Sequence, residues 1–180
     1  MEFEGVPYRV SYRRIKYPRL EFKTGELIAI LPHGSNVNPI LEKHRDWIKK
    51  KHKFIRQIFA RGNELRLFER SEDEFRKLVH FYADEASKKM KVSYSKIFFR
   101  TMRTKWASMS SRRNITANRL MRRLPEKLIE YIIYHEVAHL LVKRHKKEFW
   151  SVIKKYFDDP QAFERELFKY WFATQKKLGT

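Results

Sequence analysis

The 180-residue sequence has no cysteine, few glycines and no long apolar run, and each absence excludes a class of protein. Without cysteine the chain forms no disulfide and offers no thiolate, so a metal ion must be held by nitrogen and oxygen ligands. The 5 glycines form no phosphate-cradling loop. No segment approaches the roughly 18 apolar residues of a membrane span, and the N-terminus lacks a signal-peptide core. We therefore expect a cytoplasmic protein with no membrane partner.

Acidic residues are also scarce, since 41 Lys and Arg stand against 21 Asp and Glu and the formal net charge is +20. An excess of this size attracts polyanions, so nucleic acid or another polyanion is a candidate partner for the basic surface. The alternative is a solvated, lysine-rich surface of the kind found in heat-adapted proteins. No nucleic-acid-binding motif accompanies the charge. Several basic clusters flank the motif described next: Arg112-Arg113, Arg122-Arg123, Lys143-Arg144 and Lys146-Lys147.

The strongest chemical signal is the run His135-Glu-Val-Ala-His139, which matches the pattern H-E-x-x-H. Residues four apart lie on one face of an α-helix with Cβ atoms about 5–6 Å apart, so both imidazoles can reach one ion. The intervening Glu136 can then approach a water molecule at the open ligand position. We expect His135 and His139 to bind one Zn²⁺ ion and Glu136 to be the catalytic general base.

The segment around the motif favours a buried helix. It opens at Leu124-Pro125-Glu126, with proline at the first helical position and an acid in the first turn. At 100° per residue, the two histidines point away from the apolar stripe of this helix, toward a cleft or solvent. The stripe consists of Ile129, Ile133, Val137, Leu140 and Leu141.

The predicted third ligand is His145, six residues beyond the motif. In a continued helix it would lie more than a turn further along and could not share the ion. A new apolar stripe begins at Phe149, however, so we expect the helix to break between about 141 and 147 and return His145 to the metal. The alternative third ligand is a carboxylate on a later helix, either Glu164 or Glu166.

From about Arg103 to Trp150 the sequence resembles the YgjP-like metallopeptidase domain, a zincin family close to the WLM and SprT-like proteases. The family usually has Gly and Cys where this chain has Ala107 and Met109, and neither position is a metal ligand in the family pattern. The resemblance implies a zincin fold, one Zn²⁺ ion and peptide hydrolysis. The matching stretches are Lys105-Trp106-Ala-Ser108, Ile115-Thr-Ala-Asn118-Arg-Leu120, Leu124-Pro125, Tyr131 to Leu140, and His145 followed by Phe149-Trp150.

We predict a single α+β domain over 1–180, zincin-like, with a short N-terminal β-rich lobe, a mixed sheet and the H-E-x-x-H helix. A chain with 42% hydrophobic residues can build one core, and 180 residues are too few for two well-sized domains. The leader, 1–70, contains short β-branched runs and a helix opening at Asn38-Pro39. Ser71-Glu-Asp-Glu74 fits a capping box for the next helix. The catalytic core, 93–180, begins with strands that precede the motif helix.

Three further residues are candidates for substrate binding: Asn118, Ser108 and Trp106. In zincins a sheet edge commonly lies along the cleft, where an extended peptide adds by backbone hydrogen bonds, and the resemblance makes 114–118 that edge. Asn118 either orients substrate, braces the helix entry or ends the strand as a turn residue. Ser108 is expected to hydrogen-bond backbone near the site. Trp106 is a substrate contact or, as is commoner for Trp, a core anchor.

The expected function is zinc-dependent hydrolysis of a peptide or protein substrate by a metal-activated water, with Glu136 as general base. Two alternatives stay open. One is a metal-dependent nucleoside triphosphate hydrolase, which the resemblance allows but which no glycine-rich phosphate loop supports. The other is a DNA-associated protease or DNA-binding module of WLM or SprT type, which the positive charge suggests.

Overall fold

The chain folds into two units in this structure, a computed structural model that describes residues 1–23, 26–61 and 65–177. The first unit contains Met1–Leu65 together with the chain from Gln175 onward, and the second contains Arg66–Thr174. The organisation as one domain over 1–180 stays a prediction beside this division.

The first unit is a mixed four-stranded sheet with two helices. Its elements are β1 (Glu2–Phe3), β2 (Val6–Tyr12), β3 (Arg19–Lys23), β4 (Glu26–Leu31), α1 (Asn38–Lys43) and α2 (Arg45–Arg61). The strand order is β1-β2-β4-β3, with β2 and β4 parallel and the other two pairs antiparallel. Residues 27–31 of β4 are all buried, as expected for a central strand covered on both faces. The core joins this strand to β2 and the helices through Val6, Leu27, Leu41 and Ile48.

The helix predicted to open at Asn38-Pro39 is two helices, which corrects the expectation of one. His44 leaves helical geometry with φ −113° and ψ 20° and separates α1 from α2. Val37 is the N-cap of α1, while Asn36 accepts a 2.9 Å hydrogen bond from the Asn38 backbone N–H. The residues around His44 are compatible with a helix, so propensity carries no signal for the break.

The second unit combines four helices with a mixed three-stranded sheet. Its elements are α3 (Glu72–Met90), β5 (Ile97–Arg100), β6 (Ala107–Met109), β7 (Ile115–Asn118), a 3₁₀ turn (Arg119–Arg123), α4 (Glu126–Ala138), α5 (Lys147–Ile153) and α6 (Pro160–Lys177), which continues past the unit. The strand order is β5-β7-β6, with β5 parallel and β6 antiparallel to β7. This combination confirms the predicted α+β class with a mixed sheet.

Helix α4, which carries the H-E-x-x-H motif, lies at the centre of this unit. It packs against α3, β6 and α5, and nine of its 13 residues are buried. Ile129, Ile133 and Val137 of the predicted apolar stripe are buried, together with Tyr131, Tyr134 and Glu136. Leu140 and Leu141 lie beyond the end of the helix, and Leu141 is exposed, so the predicted stripe is wrong there. A helix enclosed on most sides holds its side chains in fixed positions, which suits a catalytic motif.

The sequence reveals nothing of β6, because its three residues are too few for a period-two pattern and include no β-branched side chain. Pairing with β7 defines this strand. Among the described helices, none combines the length and the hydrophobicity that a membrane-spanning segment needs.

Removal of the capping box at Ser71 tests how α3 supports the second unit. The Ser71 hydroxyl accepts from the Glu74 backbone N–H at 3.1 Å, and the Glu74 carboxylate accepts from the Ser71 backbone N–H at 2.8 Å. We expect Ser71→Ala to lower the free energy of unfolding by about 1 kcal/mol in urea denaturation. Ser93→Ala, at an exposed loop position, is the control and should change stability by less than about 0.5 kcal/mol. Equal stability of the Ser71→Ala variant and wild type would contradict this.

Candidate metal centre and active-site groove

Helix α4 presents the first two histidines at its C-terminal end. His135 is in the last turn and His139 is the C-cap, with its backbone N–H directed to the carbonyls of Glu136 and Val137. Because the residues are four apart, their rings lie side by side with centroids 5.2 Å apart. Both side chains are partly exposed, and that of His139 lines a groove.

The chain leaves the helix directly after His139 and brings His145 back to the same place. Turn-type hydrogen bonds run on to Val142, and Lys146 is extended (φ −96°, ψ −176°) at the start of α5. The His145 ring centroid lies 4.8 Å from that of His135 and 4.7 Å from that of His139. The break comes slightly earlier than the predicted 141–147, although the segment contains no glycine.

The three imidazoles form a donor set that fits one metal ion. One nitrogen from each ring lies within 4.8 Å of the other two, and the Nε2 atoms of His135 and His145 are 2.8 Å apart. Tetrahedral zinc, with Zn–N distances of about 2.0–2.1 Å, requires nitrogens about 3.3 Å apart, a value between these two. Imidazole nitrogen is a preferred ligand of Zn²⁺, so geometry and donor chemistry agree.

The other ring nitrogen of two of these histidines faces an oxygen acceptor, and in His139 it forms a hydrogen bond. His139 Nδ1 donates to the Val142 carbonyl at 3.1 Å, which leaves Nε2 with its lone pair. His135 Nδ1 lies 3.6 Å from a Glu164 carboxylate oxygen, and that oxygen accepts a 2.7 Å hydrogen bond from the Tyr131 hydroxyl. Such partners fix the ring orientation of a metal-ligating histidine.

The two glutamates considered as alternative ligands lie outside the donor set. Glu164 faces Nδ1 of His135, whereas Nε2 of that ring faces His145. Glu166 forms an ion pair with Lys169 on its own helix. Within the described part of the chain, the cluster therefore consists of histidines alone. Glu164 lies instead behind the donor set, on the Nδ1 side of the His135 ring.

The apolar Phe149 ring packs against all three imidazole rings. It is fully buried on α5, and its ring centroid lies 4.7–4.8 Å from those of His135, His139 and His145. The change in apolar phase identified Phe149 as a core position, but no sequence signal placed it under the histidines. Tyr131 and its contact with Glu164 were missed for the same reason, since both depend on how α4, α5 and α6 pack.

Burial keeps His135 and His139 neutral, as metal binding requires. It lowers the pKa of His135 to about 3, helped by the neighbouring His139 and His145, and it also lowers the pKa of His139. His135 is therefore uncharged at neutral pH, and its contact with Glu164 is an approach of N–H to carboxylate rather than an ion pair.

Glu136 lies between α4 and β6 with only 9% of its surface exposed. This burial raises the pKa of its carboxyl group to about 7, while a hydrogen bond from the Met109 backbone and the charge of Lys105 act in the opposite direction. A carboxylate held against a strand by a backbone N–H has a defined orientation. The sequence could not locate this bond, because β6 itself was missed.

A groove of about 660 Å³ contains Glu136, His139 and His145, and strand β6 forms one of its walls. The predicted edge strand, 114–118, is wrong: β7 (Ile115–Asn118) pairs on both sides and lies in the middle of the sheet. The edge strand beside the groove is β6. The expectation failed because only the pairing of β6 with β7 shows which strand has a free side.

The register shows which backbone groups of β6 face the open edge. Trp106 accepts from the Asn118 N–H at 2.8 Å and Ser110 donates to the Asn114 carbonyl at 2.9 Å, so even-numbered residues bond to β7. In an antiparallel pair the alternate residues point their N–H and C=O groups away from the partner. Ala107 and Met109 therefore present these groups to the open side, where the Met109 backbone bonds Glu136.

The three candidate substrate residues occupy different environments. Ser108 lines the groove. Asn118 is fully buried, and its amide bonds the backbone of Met102, Lys105 and Leu120, so it braces the loop before β6. Trp106 is half-buried; it donates from Nε1 to the Leu167 carbonyl at 3.3 Å and lies edge-on to another tryptophan on α6.

Comparison with known proteins identifies one family. Residues 67–170 match the model of the YgjP-like metallopeptidase domain, over more than half of the chain. The structure is similar to the metallopeptidase zymogen of Pyrococcus abyssi abylysin, at 26% identity over 49% of this chain and 88% of that one, with a TM-score of 0.44. It is also similar to the metallopeptidase zymogen of Methanocaldococcus jannaschii jannalysin, at 26% identity over 49% and 84%, with a TM-score of 0.44. No curated protein matches the chain.

Substitutions at His145 and Glu164 distinguish a metal ligand from a residue that orients a metal ligand. We expect His145→Ala to lose Zn²⁺ affinity most severely, because one of three donors is removed. Glu164→Gln should weaken affinity by about 10–100-fold, the usual cost of losing a carboxylate behind a ligand. Competitive chelator titration measures both.

The control is His80→Ala, which removes an exposed histidine on α3 and should leave Zn²⁺ affinity unchanged. A greater loss of affinity in Glu164→Gln than in His145→Ala would reverse the assignment and make Glu164 the ligand.

Proposed function

This chain belongs to the YgjP-like metallopeptidase domain family, and we propose that it hydrolyses peptide bonds with one Zn²⁺ ion. The observation that carries the proposal is the meeting of three imidazole nitrogens within 4.8 Å of one another, two of them from rings that line the groove that also holds the buried Glu136. The ion would be held by His135, His139 and His145. When bound, Zn²⁺ supplies Lewis-acid chemistry, lowering the pKa of a water molecule toward about 7 and polarising a carbonyl.

Glu136 is proposed as the general base. Its carboxylate lies on the groove side of α4 next to the donor set, one residue from His135 and three from His139. From there it takes the proton of the attacking water and then delivers that proton to the leaving amine nitrogen. The hydrogen bond from the Met109 backbone and the nearby charge of Lys105 both favour the ionised carboxylate, which is the form that can take a proton.

The substrate is proposed to bind as an extended strand along β6. Ala107 presents both its N–H and its C=O to the open edge, and Met109 presents its C=O. Added strands of this kind gain affinity from main-chain hydrogen bonds whatever the side chains are. The edge runs past Glu136, so a peptide bonded to it passes its backbone carbonyls close to the general base.

Replacement of Glu136 by glutamine tests the assigned role. Glutamine keeps the shape of the side chain but cannot take a proton, so we expect kcat/KM for peptide cleavage to fall by about 10²–10⁴-fold. Zinc content should stay at the wild-type level, because Glu136 is not a proposed ligand. A zinc-loaded Glu136→Gln protein that cleaves peptides as fast as wild type would show that the base is another group.

Peptides with a single N-methyl group test whether the substrate binds as an extended strand along β6. Methylation removes one backbone donor at a time, and only alternate residues of an added strand bond to the edge. We expect kcat/KM to fall by about 10-fold when the methylated nitrogen faces β6, and by much less at the positions between. Peptide hydrolysis rates across the methylated series give the pattern. A uniform loss at every position would contradict strand addition.

A further inference from the structure

We propose that the groove selects peptides that carry acidic side chains next to the scissile bond, through Lys105, Arg113 and Lys143. This inference rests on the proposed peptidase function and names its substrate class. All three cations are exposed and line the groove that contains Glu136. The substrate side chains they recognise are carboxylates.

The three cations flank the path of a bound peptide. Lys105 comes two residues before β6, and Arg113 lies in the turn that connects β6 to β7. Lys143 is in the segment between His139 and His145. A strand rises about 3.3 Å per residue, so a peptide of five or six residues along β6 extends from the level of Lys105 to the turn.

The charges of these cations are left largely free for a ligand, although that of Lys105 also acts on the buried Glu136 carboxyl group. In the residues that the structure describes, none of the three takes part in an ion pair, whereas Arg45 pairs with Glu4 and Glu42 elsewhere in the chain. The groove lining includes one carboxylate, that of Glu136, which is buried and accepts from the Met109 backbone. An acidic side chain of a substrate would therefore meet cations without competing carboxylates on the groove surface.

Arg113 adds a second observation at this site. Its φ of 60° lies in the left-handed region, where a residue with a β-carbon is disfavoured and where asparagine and glycine are the usual occupants. The turn closes through a 3.0 Å hydrogen bond from the Arg113 N–H to the Ser110 carbonyl. A long cationic side chain thus occupies a turn position for which the backbone favours a short residue, and that side chain reaches the groove.

A peptide accounts for the groove better than a nucleic acid does. The open edge of β6 offers N–H and C=O groups in strand register, which a peptide backbone can match and a phosphodiester backbone cannot. The cations are therefore placed to recognise side chains along a peptide.

The first experiment measures binding to the zinc-loaded Glu136→Gln protein by fluorescence anisotropy. The probes are three peptides of equal length with Glu, Gln or Lys at the positions flanking the central bond. Exposed charge pairs are worth about 1.4–5-fold each, so we expect the Glu peptide to bind about 10-fold more tightly than the Gln peptide at low salt. The Lys peptide should bind most weakly, and the preference should shrink as added salt shortens the Debye length from about 30 Å to 8 Å.

The matched variants combine Lys143→Gln with Arg113→Asn, since asparagine removes the charge and suits the left-handed backbone. Lys105 is left in place because it lies beside Glu136. We expect this double variant to reduce the Glu-to-Gln preference to about 2-fold. Lys155→Gln removes one charge at an exposed position that does not line the groove, and it should keep the wild-type preference.

Equal affinity for the three peptides, or an unchanged preference in the double variant, would overturn the proposal. So would a DNA duplex that binds through Lys143 and Arg113 while peptide charge has no effect. Cleavage of the same peptides by wild-type protein is measured in parallel. Cleavage without charge preference would leave the peptidase function standing and end this inference, whereas no cleavage of any peptide would count against the function itself.

Discussion

The chemistry proposed for this chain depends on α4 ending at Ala138. If the helix continued, His145 would lie more than a turn beyond His139, out of reach of a shared ion. Because it stops, the short segment before α5 turns back and places a third ring within 5 Å of the other two. Packing holds this arrangement: Phe149 supports all three rings from below, and Glu164 stands behind His135.

Burial of α4 has two opposite effects on the residues that it carries. For the histidines it favours the neutral form, which leaves a lone pair for a metal ion. For Glu136 it disfavours the charged form, and the protein offsets this with a backbone hydrogen bond from β6 and the charge of Lys105. Strand β6, which bonds that carboxylate, lies at the edge of its sheet. Strand β6 therefore both positions the proposed base and offers a free edge to which an extended peptide can bind.

Several expectations from the sequence agreed with the structure, whereas the expected edge strand and the expected single helix after Asn38 did not. The family, the α+β class and the Ser71 capping box are confirmed, since each depends on residues close together in sequence or on a long match. The edge strand was wrong because β6 has no pattern of its own. The break between α1 and α2 at His44 was not predicted, because helix propensity does not indicate where a single residue leaves helical geometry. Asn118 supports a loop through contacts that no spacing reveals.

By itself, the sequence determined which residues can do the chemistry. Helical spacing makes His135 and His139 neighbours on any α-helix, and the absence of cysteine leaves imidazole and carboxylate as strong donors. Only the tertiary structure decided which third residue joins them and which strand borders the groove. Both depend on contacts between segments far apart in the chain, where packing of α5 and α6 against α4 places histidine in front and Glu164 behind.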